Sequence, residues 1–333
     1  MDELRNRIVC GDCVEVLGKV EQPFADLIFA DPPFNIGYKY DRYNDKRARK
    51  DYLEWTEAWI SVCVENVLKP NGSFYIAIGD RYAAEVKMRA EELGLKLRNW
   101  IIWHYSFGQQ MRTKYALSHT HIFYFVMDER NFVFNDDAVR VISDRQKKYA
   151  DKRANPAGKM PDDVWDEYPR VCGTFEERTG FPCQMPESLL ARIVRLSSNE
   201  GDWVLDPFSG SGTTPVVAAK LRRIYTGIEL SREYVQEVRA RIEECQNQSV
   251  EGEGYKEWTS ALDQELKWLY HENKVPADTL AQDAKLKVLF AGKFNARIGA
   301  KYNAFQPDEI VDHLIRMRKS AKLGPLRGHP ITA

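Results

Sequence analysis

Two short stretches of this 333-residue chain carry residue types that could do chemistry together. Asp31-Pro32-Pro33-Phe34 follows an apolar run, Asp26 to Ala30, that suits a buried parallel strand. An aromatic amine is a poor nucleophile because its lone pair is delocalised into the ring. Two acceptors aimed at its hydrogens favour the tetrahedral nitrogen that can attack a methyl group. The Asp31 carboxylate offers one acceptor and the Pro32 carbonyl the other, and consecutive prolines fix φ and stiffen that presentation. Phe34 offers a face on which a planar base can stack. An ordinary strand-ending turn explains the same four residues equally well, since Asp-Pro pairs are common in turns.

The second stretch is Asp206-Pro-Phe-Ser-Gly-Ser-Gly-Thr-Thr214, between a strand and a helix. Its glycines let the backbone approach a ligand closely, at the sheet edge where open α/β folds bind nucleotides. No Lys follows the last glycine, so the loop is not a phosphate-cradling Walker loop. Glu229 ends the next strand, where a carboxylate can accept hydrogen bonds from ribose hydroxyls. Taken alone, a Gly-rich turn and one acid are a weak signal.

Alternating strands and helices must position both stretches. Strands are predicted at 26–30, 72–78, 100–105, 203–206 and 224–229, and helices at 52–68, 81–93, 186–197 and 214–221. This alternation predicts a doubly wound, mostly parallel α/β sheet. Residues 107–178 are basic and aromatic with little periodicity, and are read as an insertion within a catalytic domain spanning 1–250. Residues 255–333 carry helical patterning without strand signals and are read as a separate accessory domain.

Composition is that of a globular chain able to bury a core, with 44% hydrophobic and 29% charged residues. The net charge of −1 does not point to nucleic acid, but its distribution does: from Ala284 onward ten basic residues face three acids. A solvated helical face explains that tail equally well. Cys10-Gly-Asp-Cys13 has the C-x-x-C spacing, but no second pair or nearby histidines complete a zinc site. No signal-peptide pattern or long apolar run is present, which points to the cytoplasm.

With both motifs and their order taken together, the chain resembles the permuted β class of amino-methylating DNA methyltransferases, including the cell-cycle-regulated adenine enzymes. In that family a D-P-P-[FY] motif precedes, and an F-x-G-x-G motif follows, the recognition region; here DPPF stands at 31–34 and DPFSGSGTT at 206–214. Gly11-Asp12-Cys13 is similar to the family's N-terminal G-D-C element. The resemblance implies a Rossmann-like fold and S-adenosylmethionine as donor. It also implies direct transfer to adenine N6 of a flipped base in double-stranded DNA, a homodimer, and a restriction endonuclease as a further partner. The implied catalytic residues are Asp31, Pro32, Pro33 and Phe34. The implied cofactor residues are Asp12, Cys13, Asp31, Cys183, Gln184, Asp206, Phe208, Gly210, Ser211, Gly212, Thr213, Thr214 and Glu229. Asn35, Tyr38, Gln109, Arg112 and Lys114 are the expected DNA-contacting residues.

The chain departs from the family twice. Phe181-Pro182-Cys183-Gln184-Met185-Pro186 stands where H-P-T-Q-K-P is usual, so the Thr and Lys side chains that would meet the methionine carboxylate are missing. Ser118-His119-Thr120 replaces A-H-E, and His119 is read as a satisfied core histidine. Cytosine N4 is the alternative target, methylation of RNA or protein glutamine a more distant one, and a catalytically silent DNA-binding module a third.

Overall fold

The computed structural model describes residues 2–109, 111–149, 151, 153–171, 177–181, 183–248, 258–299, 304–324 and 326. Its first part runs β1 (Arg7–Cys10), α1 (Cys13–Leu17), β2 (Ala25–Ala30), α2 (Arg49–Val62), β3 (Leu68–Ile78), α3 (Ala83–Glu92), β4 (Lys96–Gln109) and β5 (Leu117–Val126). There follow α4 (Asp136–Val139), α5 (Asp144–Tyr149), β6 (Val164–Trp165), α6 (Glu187–Ser197), β7 (Trp203–Asp206), α7 (Thr213–Lys220), β8 (Ile224–Glu229) and α8 (Arg232–Gln248). Helices α9 (Ser260–Asn273), α10 (Ala277–Gln282), α11 (Ala284–Ile298) and α12 (Pro307–Lys319) come last among the described residues.

The chain divides into two units, the first formed by Met1–Asn135, Asp163–Trp165 and Pro169–Gln246. This unit holds one sheet in the order β1-β8-β7-β2-β3-β5-β4-β6. The five strands from β1 to β3 are parallel, whereas β5 runs antiparallel to both β3 and β4. Strands buried on both faces need apolar residues at every position, not alternate ones. β7 is accordingly buried throughout, and in β2 only Asp26 is not. Asp26 explains itself: its carboxylate accepts from Lys69 Nζ at 2.8 Å and from the Trp203 amide at 2.8 Å. One acid thus pins the amino ends of three neighbouring strands.

From β2 the chain passes through α2 to β3 on one side, and from β7 through α7 to β8 on the other. The connections therefore diverge at the β7/β2 boundary, and diverging connections leave a crevice at the carboxyl ends of the strands. α2 closes against that sheet with its last turn widened to a π-helix at Cys63–Val67.

One expectation needs correction. The insertion does not begin at residue 107, because Leu117–Val126 is an internal strand of the sheet, with Ile122 to Val126 all buried. Its polar first half, Ser-His-Thr-His, hides the strand from a hydrophobicity reading.

The second unit joins Asp136–Asp162 and Asp166–Tyr168 to Asn247–Ala333. It thus unites half of the expected insertion with the expected accessory domain. Ile142 is buried in one apolar cluster with Leu266, Leu269, Phe290, Phe294, Ile310 and Leu314. Its amide donates to Asn273 Oδ1 at 2.8 Å. Capping defines the helix starts: Asp283 accepts from two amides at α11, and Gln306 and Glu309 form a capping box at α12. No helix among the described residues is long and apolar enough to cross a membrane.

Candidate active site

Each of the five parallel strands delivers an acid to its carboxyl end: Asp12 just past β1, Asp31 past β2, Asp80 past β3, Asp206 in β7 and Glu229 in β8. All five line one cavity of about 550 Å³, within the range of small-molecule sites. None has an ion-pair partner among the described residues. Burial pushes the Asp31 carboxyl up to about 8, with the Asp206 charge adding to it. Burial likewise carries Asp206 up to about 7, against hydrogen bonds from the Thr214 side chain and the Phe208 amide. Burying Asp31 and Asp206 together in a low-dielectric pocket is costly unless a cation joins them. The cavity is built to receive positive charge.

At the β7/β2 crevice the two sequence motifs meet. Tyr52 donates its hydroxyl hydrogen to the Pro33 carbonyl at 2.8 Å. The Pro32 carbonyl has no such partner among the described residues, and Pro32 lines the cavity beside Asp31. Phe34 lies against Gly79, where even a β-carbon would stand 3.1 Å from its ring. On the other side Phe208 is wedged edge-on by Trp59 and Trp55, with centroids at 5.1 and 5.6 Å. The glycine turn holds its shape through Glu229, whose carboxylate accepts from the Gly210 amide at 2.9 Å and from Ser231 at 2.8 Å. Asp12 caps α1 through the Val14 amide at 2.8 Å while lining the cavity. Burial and the adjacent Asp12 push the Cys13 thiol up to about 12, so it is a wall group and not a nucleophile.

Of the expected cofactor residues, Asp12, Cys13, Asp31, Cys183, Gln184, Asp206, Phe208, Gly210, Ser211, Thr213, Thr214 and Glu229 all line the cavity. Gly212 does not. Its φ is +75°, and a β-carbon there would meet Val238 of α8 at 2.3 Å, so it serves helix packing. Gln184 is buried and already engaged: its carbonyl accepts from Thr179 N at 2.8 Å, and its amide donates to Glu177 O at 2.7 Å.

The expected DNA-contacting residues fare differently. Tyr38 lines the mouth, 39% exposed. Asn35 is instead buried behind it and organises the loop that follows Phe34. Its side chain accepts from Arg47 N at 2.7 Å and donates to Tyr82 Oη at 3.0 Å. Arg112 and Lys114 are exposed in the turn between β4 and β5, outside the cavity wall. The Gln109 side chain and residues Gln110, Lys152, Cys172 and Pro182 lie outside the described residues.

His119 is not a core residue; it is partly exposed and lines the cavity. It stands on β5 next to Thr120, which also lines the cavity, a place that an undetected strand could not reveal. Asp45 was also missed. Its carboxylate accepts from the amides of Asn35 at 2.7 Å, Ile36 at 3.1 Å and Tyr38 at 2.8 Å, closing a loop that brings Tyr40 and Tyr43 to the cavity. Burial and the nearby Asp31 push the Tyr40 phenol upward, so it remains a hydrogen-bond donor.

Residues 25–240 match the N6/N4 methyltransferase family, described as DNA methylase. The chain is 36% identical to Type II methyltransferase M.HpaI of Haemophilus parainfluenzae over 71% of this chain and 74% of that one. It is 36% identical to the DNA adenine methyltransferase YhdJ of Escherichia coli K12, over 73% of this chain and 85% of that one. In fold it is similar to a DNA modification methylase of Thermus thermophilus solved with S-adenosyl-L-methionine. That likeness has a TM-score of 0.51 at 24% identity, over 72% of this chain and 93% of that one.

Proposed function

The chain belongs to the DNA methylase family of N6 and N4 methyltransferases, and from that premise we propose that it methylates adenine N6 within a specific sequence of double-stranded DNA. The observation that carries this reading is the pairing of Asp31 with Pro32, whose carbonyl has no partner among the described residues, beside the glycine turn in one cavity. S-adenosylmethionine fits that donor set, since its sulfonium would bring positive charge beside buried Asp31 and Asp206, and when bound it supplies an activated methyl group. The glycine turn with Phe208 and Glu229 would hold its nucleoside part.

The chain's own residues then have plain tasks. Asp31 and the Pro32 carbonyl accept the two amine hydrogens and hold the nitrogen lone pair toward the methyl carbon. As the new N–C bond forms, the methyl group's bond to sulfur breaks and its electron pair stays on sulfur, while the surplus amine proton passes to the Asp31 carboxylate and on to solvent. Phe34 and the tyrosines of the 35–47 loop stack the flipped base and exclude water. No covalent enzyme intermediate is required, in keeping with the protonated state of Cys13.

D-P-P-F at 31–34 favours adenine by resemblance, and cytosine N4 is the alternative because the family spans both amines. Exposed Arg112 and Lys114 in the β4–β5 turn, and exposed Lys285, Arg316 and Lys319 on α11 and α12, support phosphate contacts. The reading carries with it a homodimer, a restriction endonuclease partner and a cytoplasmic, nucleoid-associated location. Incubating the purified chain with labelled cofactor and DNA, then digesting to nucleosides, identifies the base. Asp31→Ala should still bind cofactor, more weakly only at alkaline pH where the lost carboxylate would be charged, and lose methylation; substantial turnover by that variant would sink the assignment.

A further inference from the structure

Arg170 lines the same cavity and has no task in the reaction just described. It is partly buried, and its guanidinium carbon lies 5.1 Å from the centre of the Tyr105 ring. Tyr105 is itself fixed, donating to the His119 carbonyl at 3.1 Å, so the ring forms a rigid platform for the cation. The field of Arg170 also reaches Cys183, whose thiol it stabilises as the anion against the opposing effects of burial and Asp31. Although the cavity holds five strand-end carboxylates, none pairs with Arg170 among the described residues. Arg42, the other arginine at the cavity, is exposed at the mouth and solvated.

A half-buried guanidinium stacked on a ring, with no counterion among the described residues, presents its planar donor fork to whatever enters. Buried Asp31 and Asp206 repel an oxyanion from the rest of the cavity's inner wall, and the fork of Arg170 attracts it. The segment beside Cys183 offers no competitor, since Gln184 is committed to Thr179 and Glu177 and Met185 is apolar and buried. We propose that Arg170 is the oxyanion receptor of the cavity, gripping a carboxylate or phosphate group of a ligand. This rests on the reading that the cavity takes S-adenosylmethionine and a flipped nucleotide. Each brings one such group, the methionine carboxylate in the first and the flanking phosphates in the second.

The test uses the full-length chain with Arg170→Met and Arg170→Lys, compared by calorimetry with S-adenosylmethionine and its decarboxylated analogue, and by methylation kinetics on DNA at several salt concentrations. If the carboxylate is the partner, wild type binds the decarboxylated analogue about ten-fold more weakly or worse, the scale of a charge-assisted hydrogen bond, and R170M binds both alike. If a phosphate is the partner, cofactor affinity is unchanged, KM for DNA rises about ten-fold in R170M and the logarithmic salt slope falls by about 1. R170K keeps the charge without the fork, and an intermediate value from it supports bidentate contact if R170M folds poorly. Cofactor affinity, analogue discrimination and KM all within about two-fold of wild type in both variants would overturn the assignment, since such values lie below one charge-assisted bond. Wild-type protein that binds no S-adenosylmethionine would instead remove the donor reading beneath it.

Discussion

Gly210 and Gly212 stand two positions apart in one turn, yet they are glycines for different reasons. At Gly210 φ is +49° and a β-carbon would meet the Phe181 ring at 2.8 Å, in the cavity wall. At Gly212 φ is +75° and the obstruction is Val238, outside it. Gly210→Ala should therefore weaken cofactor binding with a modest loss of stability. Gly212→Ala should lower the melting temperature first, by the equivalent of about 1–3 kcal/mol for overpacking plus a strained φ. Calorimetric titration and thermal melting of both variants check this; equal effects on both readouts would mean that the turn acts as one unit.

Asp31 and Asp206 make a second residue-scale prediction. Their folded-state values, about 8 and about 7, stand above the usual 3.8, so the folded protein holds more protons than the unfolded chain between those values. Stability of the ligand-free protein should then fall as pH rises from about 4 to about 8. Asp31→Asn should raise the melting temperature at the alkaline end of that window and leave it unchanged at the acidic end. Affinity for S-adenosylmethionine should climb as the pair ionises, while the demethylated product, with its neutral sulfur, should respond less. A flat pH profile for both ligands would contradict this.

At the scale of elements, the loop from Asn35 to Arg47 depends on one buried acid. Asp45 satisfies three amides, and Asn35 closes the loop at its ends. Asp45→Ala leaves those donors unpaired, at about 1–3 kcal/mol for the group. Methylation should fall through a higher KM for DNA and a lower kcat, whereas cofactor affinity should stay near wild type, because the cofactor turn is supported separately by Glu229. Loss of cofactor binding in this variant would show that the loop and turn are coupled. Strands β2 and β7 were legible in the sequence because complete burial writes itself as an unbroken apolar run. β5 was not, because half of it faces the cavity and is polar for that reason. His119 was illegible on the same ground, and Tyr40 and Tyr43 were illegible because only the folded loop brings them to the cavity.

At the scale of the whole molecule, the chain is partitioned differently from its order in sequence. Residues 136–162 belong with the C-terminal helices, through Ile142 in their apolar cluster and its amide bond to Asn273. Ile142→Ala should cost about 2–5 kcal/mol. Hydrogen exchange should speed up in both 136–149 and 260–298, and a change confined to 136–149 would refute a shared core. The same result bears on DNA binding. Deleting the C-terminal helices would strip Ile142 of its cover, so charge reversal at exposed Lys285, Arg316 and Lys319 is the cleaner probe of phosphate contact. The sequence by itself determined the two motifs, their order, the parallel core and hence the family, because glycines at a ligand, consecutive prolines and fully buried strands leave local signatures. Only the tertiary structure decided that five strands converge their acids on one cavity, that Gly212 and Asn35 are scaffold, and that Arg170 is held on Tyr105. Those facts depend on residues far apart in the chain, and no local pattern records which of them will meet.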